Sequence, residues 1–145
     1  MEEESCPLVP VSWGELLDKI TILEIKKERI GDPDALRNVA HELERLIDIA
    51  SSVGRQPRIA LLMDRLRAVN RLLWGIEENT RVKEALGDFG PEFVQLARSV
   101  YKNNDLRAAL KREINLRLNS AIVEEKSYAA TRSVRGKGAI DTAVR

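Results

Sequence analysis

Trp74, Asn70, Glu77 and Arg81 recur at helical spacing on one side of a stretch whose apolar stripe points elsewhere. An indole ring with a carboxylate and a guanidinium at its edge makes a wall suited to a sugar, a base or a carboxylated ring. The plainer reading packs the indole against another helix and leaves Glu77 and Arg81 as an i, i+4 ion pair. A second line is Asn104, Lys111 and Asn115, with Ala108 leaving room between them. Two carboxamides and an ammonium suit a phosphate or carboxylate. The plainer reading of that line is a solvated helix face. A third group, Glu124, Glu125, Lys126, Ser127 and Tyr128, reads as a charged helix end. Lys126 beside Ser127 lacks the oxyanion site or strained turn that Ser/Lys chemistry requires.

Helix-borne acids raise the question of a divalent ion, because Glu24 and Glu28 stand i, i+4 and Glu77, Glu78 and Glu84 follow. The repeated acid pairs of helical magnesium sites are incomplete here, so neither a metal nor a cofactor is expected. Cys6 is the single cysteine and His41 the single histidine. That removes disulfides, Cys/His zinc sites and Ser-His or Cys-His triads within one chain.

The 145 residues carry 24 Lys and Arg against 23 Asp and Glu, a net charge of +1. No global field draws the chain to nucleic acid or an acidic membrane. Cations do gather locally at Arg98, Lys102, Arg107, Lys111, Arg112 and Arg117, but no motif with groove-binding geometry accompanies them, so nucleic acid is disfavoured as a partner. The first residues are acidic where a signal peptide needs basic ones, and no apolar run approaches ~20 residues, so no membrane span and a reducing, cytoplasmic location are expected.

The elements that must position these side chains are helices. Hydrophobic residues make up 43% of the chain and aromatic residues only 4%, so the core is aliphatic, and nothing alternates at period two for long enough to form a strand. The pattern predicts an all-α, antiparallel helical bundle of about five helices. A leader at residues 1–11 precedes the bundle domain at 12–128, and 129–145 form a flexible, disordered basic tail.

The bundle is organised around VSWGELLDKITILEIKKERI, residues 11–30. Ser12 and Glu15 have the spacing of a capping box, and Val11 and Leu16 that of a hydrophobic staple. Trp13, Leu16, Leu17, Ile20 and Leu23 form one stripe, while Ile22 and Ile25 lie beside Asp18 and Arg29 on the other side. A helix apolar on two faces belongs between neighbours. Glu24 and Lys27 share the main stripe as an i, i+3 charged pair, either with heads reaching water or desolvated and fixing register.

Asp32-Pro33 starts a second helix, which forms a hairpin with the first. The third runs from Pro57 through Ile59, Leu62, Leu66, Val69, Leu73 and Ile76, with a kink expected near Asn79 and Thr80. After the loop Gly87-Asp88-Phe89-Gly90-Pro91 comes a fourth, which Asn103-Asn104-Asp105 interrupt or recap as a fifth running past Ser120 toward Tyr128.

Four blocks, GELLDKITILEIKKERI (residues 14–30), LWGIEENTRVKEA (73–85), LARSVYKNNDLRAALKREIN (96–115) and EEKSY (124–128), together resemble a bacterial family of uncharacterised small helical proteins. In that family similar domains occur alone or attached to glycosyltransferase-like or tetratricopeptide-repeat proteins. The resemblance implies no activity. It draws attention to polar residues that a bundle does not need for folding: Asp18, Lys19, Trp74, Glu77, Arg81, Asn104, Asp105, Lys111, Asn115, Glu124, Lys126 and Tyr128. The expected function is a non-enzymatic binding or interaction module, accessory to sugar-polymer or glycan biosynthesis through the resemblance alone. Its partner would be a protein or a small anionic or sugar ligand, and a homodimer is open through the two-faced first helix. The alternative is an enzyme acting on a phosphorylated or nucleotide-linked small molecule through Lys111, Arg81 and helix-borne carboxylates.

Overall fold

The structure, a computed structural model, describes residues 5–127. It contains four helices in chain order: α1 (Trp13–Arg29), α2 (Pro33–Ala50), α3 (Pro57–Leu86) and α4 (Pro91–Arg117). There is no strand among the described residues. Residues 1–4, Tyr128 and the expected tail at 129–145 lie outside them.

Three helices open on a proline at the first helical position, where its missing N–H costs nothing. Ser12 caps α1 by accepting from the Glu15 amide at 3.0 Å, and Asp32 caps α2 through the Ala35 amide at 2.8 Å. The capping box at Ser12 is half formed. The Glu15 carboxylate, expected to reach back to the Ser12 amide, instead takes the ammonium of Lys111 at 2.5 Å. Gly87 ends α3 with φ at 65°, in the left-handed region that glycine adopts without a steric cost.

The expected helix count of about five becomes four because Asn103-Asn104-Asp105 stay inside α4, and the run through Asn79 and Thr80 likewise stays helical. Thr80 donates its hydroxyl to the Ile76 carbonyl at 2.7 Å, and Asn103 donates its amide to the Ser99 carbonyl at 2.8 Å. Each side chain thereby satisfies itself on the preceding turn, and neither diverts the backbone. The run toward Tyr128 is cut short instead. Asn119 turns left-handed at φ 51°, and the Ser120 amide closes on the Asn115 carbonyl at 2.8 Å, a Schellman ending.

α1 packs closely against each of the other three helices, and α3 against α4. The main stripe of α1, Leu16, Leu17, Ile20 and Leu23, enters a core completed by Val39 and Leu43 of α2, Leu62 and Leu66 of α3, and Ile114 of α4. Its second apolar face is used too, since Ile25 is buried and Ile22 half-buried.

Length mismatch limits the core. At 1.5 Å per residue α1 spans roughly 25 Å, whereas α3 and α4 span roughly 45 and 40 Å. Burial stops accordingly: no residue from 77 to 109 is buried. Leu106, one turn before the buried Leu110, stands 50% exposed where this burial ends.

Candidate functional site

A polar seam runs along the face of α1 turned toward α3 and α4. Asp18, only 1% exposed, is its centre. The Arg107 guanidinium grips it in two places, Nε to Oδ1 at 2.9 Å and a terminal nitrogen to Oδ2 at 2.5 Å. Asn70 of α3 donates one amide hydrogen to Asp18 Oδ1 and the other to Thr21 Oγ1, both at 2.9 Å. Thr21 in turn gives its own proton to the Asp18 carbonyl at 2.8 Å. This fixes the orientation of the Asn70 carboxamide, because a carboxylate and an already donating hydroxyl can only accept.

The seam continues to the start of α1. Gly14 donates its amide to Asn115 Oδ1 at 2.6 Å, and the Trp13 amide reaches Ser120 Oγ at 3.3 Å. A side chain at Gly14 would stand 2.5 Å from the Lys111 carbonyl oxygen, so glycine lets α1 and α4 approach here. Asn115 passes its amide hydrogen to Glu124 Oε2 at 3.0 Å, and Ser12 donates its hydroxyl to the other oxygen of the same carboxylate. Burial pushes the Glu124 carboxyl up. The Ser12 hydroxyl, its own backbone amide, Asn115 and nearby Lys111 outweigh that and hold it below the ordinary carboxylate value. The hydrogen bond that Arg107 donates to Asp18 likewise raises the guanidinium against the opposing effect of burial. These are the directions of fixed ion pairs, whereas a general acid or base is moved toward neutrality.

Above Asp18 opens a cleft of about 520 Å³ between α1, α3 and α4. Ile22, Ile25, Leu73 and Trp74 make its apolar walls, Asn70 and Arg107 its polar floor, and Glu77, Glu78 and Arg81 its exposed rim. Trp74 donates its indole N–H to Glu78 at 2.8 Å, which fixes the ring plane. With both amide hydrogens of Asn70 engaged, what that group can offer the cleft is its acceptor oxygen. Arg107, held through two nitrogens, can offer the third as a donor. The cleft therefore combines an aromatic wall with an adjacent donor and acceptor at its base.

Trp74, Glu77 and Arg81 come together as the spacing indicates, with Arg81 3.7 Å from Glu77. Lys111 and Asn115 lie elsewhere, in the seam at the start of α1, and Asn104 is half-buried two turns from Lys111. Lys126 is exposed, and Tyr128 falls outside the described residues. The expected Glu24 and Lys27 pair is replaced. Glu24 accepts from Arg67 of α3 at 2.6 Å while Lys27 is exposed, because the partner facing Glu24 across the helix interface outcompetes a neighbour on its own helix. The cationic stretch of α4 is largely neutralised: Arg107 by Asp18, Lys111 by Glu15, Arg112 by Glu125 and Arg117 by Glu113.

The cluster of Thr21, Asn70 and Arg107 around Asp18 was not legible as a unit. Its one sequence signal is an acid set among the isoleucines of α1. Among the described residues every buried side-chain nitrogen and oxygen has a partner, no group of His, Cys, Asp and Glu could hold a metal ion, and no helix is long and apolar enough to cross a membrane.

A family of unknown function, DUF6165, matches residues 8–138. No curated protein and no solved structure matches the chain.

Proposed function

Because the chain belongs to the DUF6165 family, whose function is unknown, we propose from its geometry that it is a binding module whose ligand enters the cleft beside Trp74. One observation carries this reading. The cleft sets a fixed indole face against aliphatic walls and adds a guanidinium and a carboxamide oxygen at the base, the mixed surface that a polar ring requires. A sugar-type ring carrying a small anionic or hydrogen-bonding group fits that pattern. What supports a role beside sugar-polymer or glycan biosynthesis is the resemblance of the four sequence blocks to domains joined to glycosyltransferase-like proteins. The enzyme alternative draws on Lys111 together with Arg81. Lys111 is held by Glu15 while Arg81 stands on the cleft rim, so the separation favours binding.

The test is a thermal-shift screen of the full chain against sugars, sugar nucleotides, polyphosphates and divalent ions. A ligand at a hundredfold excess over its Kd stabilises by about 2.7 kcal/mol. A sugar or sugar nucleotide should raise the melting temperature of the wild type and leave Trp74→Ala unmoved. A screen in which none of these compounds shifts the wild type overturns the small-ligand reading and directs attention to protein partners.

A further inference from the structure

The side of α3 away from α1 carries a second hydrophobic pattern that the monomer does not use. Leu61, Leu72, Val82 and Leu86 lie on it, exposed by 41%, 53%, 56% and 72%. With Arg65, Ala68, Gly75 and Asn79 they recur at alternating steps of four and three from residue 61 to residue 86, the a and d spacing of a coiled coil. The seam is roughly 38 Å long at helical rise. The core-facing positions of α3, among them Leu62, Leu66, Val69 and Ile76, belong to a different face, so this helix has two apolar stripes and one partner set. Gly75 sits mid-seam, and a Cβ there would meet nothing within 4 Å. Nothing inside the chain therefore requires glycine at this helical position, where it costs about 1 kcal/mol relative to alanine.

We infer that this face pairs with the same face of a second copy, antiparallel, about a two-fold axis between Leu72 and Gly75. The register follows from size. Antiparallel coiled coils set a against d positions, and one alignment places every large residue over a smaller or apolar one. Leu72 enters the gap over the partner's Gly75, Asn79 meets the partner's Ala68, Leu61 meets the partner's Leu86, and the stem of Arg65 lies along the partner's Val82.

Charge selects the same alignment. The positions flanking the seam on one side include Arg71 and Glu78, and this register sets Arg71 of each copy beside the partner's Glu78, twice by symmetry. Both side chains are about half exposed beside the seam, and each also has a contact within its own chain, Arg71 with Glu28 at 2.8 Å and Glu78 with the Trp74 indole. Shifting the helices by one heptad sets Arg71 against itself. The self-complementary charge pattern is what identifies the occupant as a second copy and not an unrelated helix.

Sedimentation of the full chain over a wide concentration range tests this. The weight-average mass should rise from that of one chain to twice that value. Leu72→Lys and Arg71→Glu should each raise the dissociation constant by about tenfold or more, and Arg71→Glu combined with Glu78→Arg in one chain should restore it. For Leu72→Lys, which faces outward, helical content and melting in dilute solution should match the wild type, whereas the charge reversals also remove the exposed contacts of Arg71 with Glu28 and of Glu78 with Trp74. In a Cys6→Ser background, Ala68→Cys mixed with Asn79→Cys should cross-link. A chain monomeric at every concentration, a charge swap as weak as the single reversal, or cross-linking of Asn79→Cys with itself overturns the proposal.

Discussion

Asp18 and Arg107, 89 residues apart, form a two-point ion pair at 2.9 and 2.5 Å that ties α1 to α4, with the carboxylate almost wholly withdrawn from water. Removing one member leaves the other desolvated without its counter-charge. Asp18→Ala should therefore destabilise the fold by about 3–5 kcal/mol in denaturant unfolding, while Asp18→Leu with Arg107→Met should recover most of that loss. A cost near zero for Asp18→Ala would mean that the seam contributes nothing to cohesion.

Gly14 and Gly75 should respond to alanine with opposite signs. At Gly14 the added methyl meets the Lys111 carbonyl oxygen at 2.5 Å and Asn115 Oδ1 at 2.9 Å, and a helix backbone cannot step aside cheaply. Gly14→Ala should cost about 1–3 kcal/mol. At Gly75 the methyl enters open space, so Gly75→Ala should stabilise the monomer by about 0.5–1 kcal/mol through helix propensity and a less free unfolded chain. Unfolding in dilute solution, where single chains prevail, compares the two.

The exchange of partners at Glu24 yields a further contrast. Glu24→Gln keeps the shape but removes the charge that Arg67 meets at 2.6 Å, and should cost about 1.5–3 kcal/mol, the range for hydrogen bonds to charged groups. Lys27→Met should be close to neutral, because Lys27 is exposed and Glu24 is engaged elsewhere. Equal costs at the two positions would restore the pairing along α1.

How much could be read beforehand follows from the range of the interactions. α1 lies between neighbours, as its two apolar faces require, and the stripes of α3 through Leu62, Leu66 and Ile76 are buried, because periodicity is a local property. Trp74, Glu77 and Arg81 share the cleft for the same reason, being turns of one helix. The partners of Asp18 and Glu24 are not local: Asn70, Arg107 and Arg67 lie 52, 89 and 43 residues away, and single-sequence spacing cannot choose among many arginines. The helix count failed where Asn103 bonds back to the previous turn, as Thr80 also does, so polar runs that resemble breaks are absorbed.

Glu124 links stability to acid. Its folded carboxyl is held below the ordinary value of 4.5. A depressed carboxylate contributes stability that is complete above the unfolded pKa and is lost as pH falls through the folded one. The difference in melting temperature between wild type and Glu124→Gln should be constant at neutral pH and shrink as the pH drops below about 4.5. A difference that instead grows on acidification would mean that the carboxyl is raised and that burial outweighs Ser12, Asn115 and Lys111.

Residues 77–109 hold no buried side chain, so the far part of the α3 and α4 hairpin relies on contacts such as the edge-to-face pair of Phe89 and Phe93, 5.1 Å between centroids, and on Lys83 bridging Asp88 and Glu92 at 2.9 and 2.6 Å. Exposed ion pairs of this kind contribute little, because solvent screens them. Amide hydrogen exchange in dilute solution should accordingly be fastest here and slowest around Leu62, Leu66 and Ile114, because local opening needs little apolar surface to be uncovered. Pairing of the outer face of α3 would slow exchange at residues 78–86 as concentration rises and leave the outer turns of α4 near Val94 unchanged. Uniform slowing along both helices would instead assign the added protection to the hairpin as a whole.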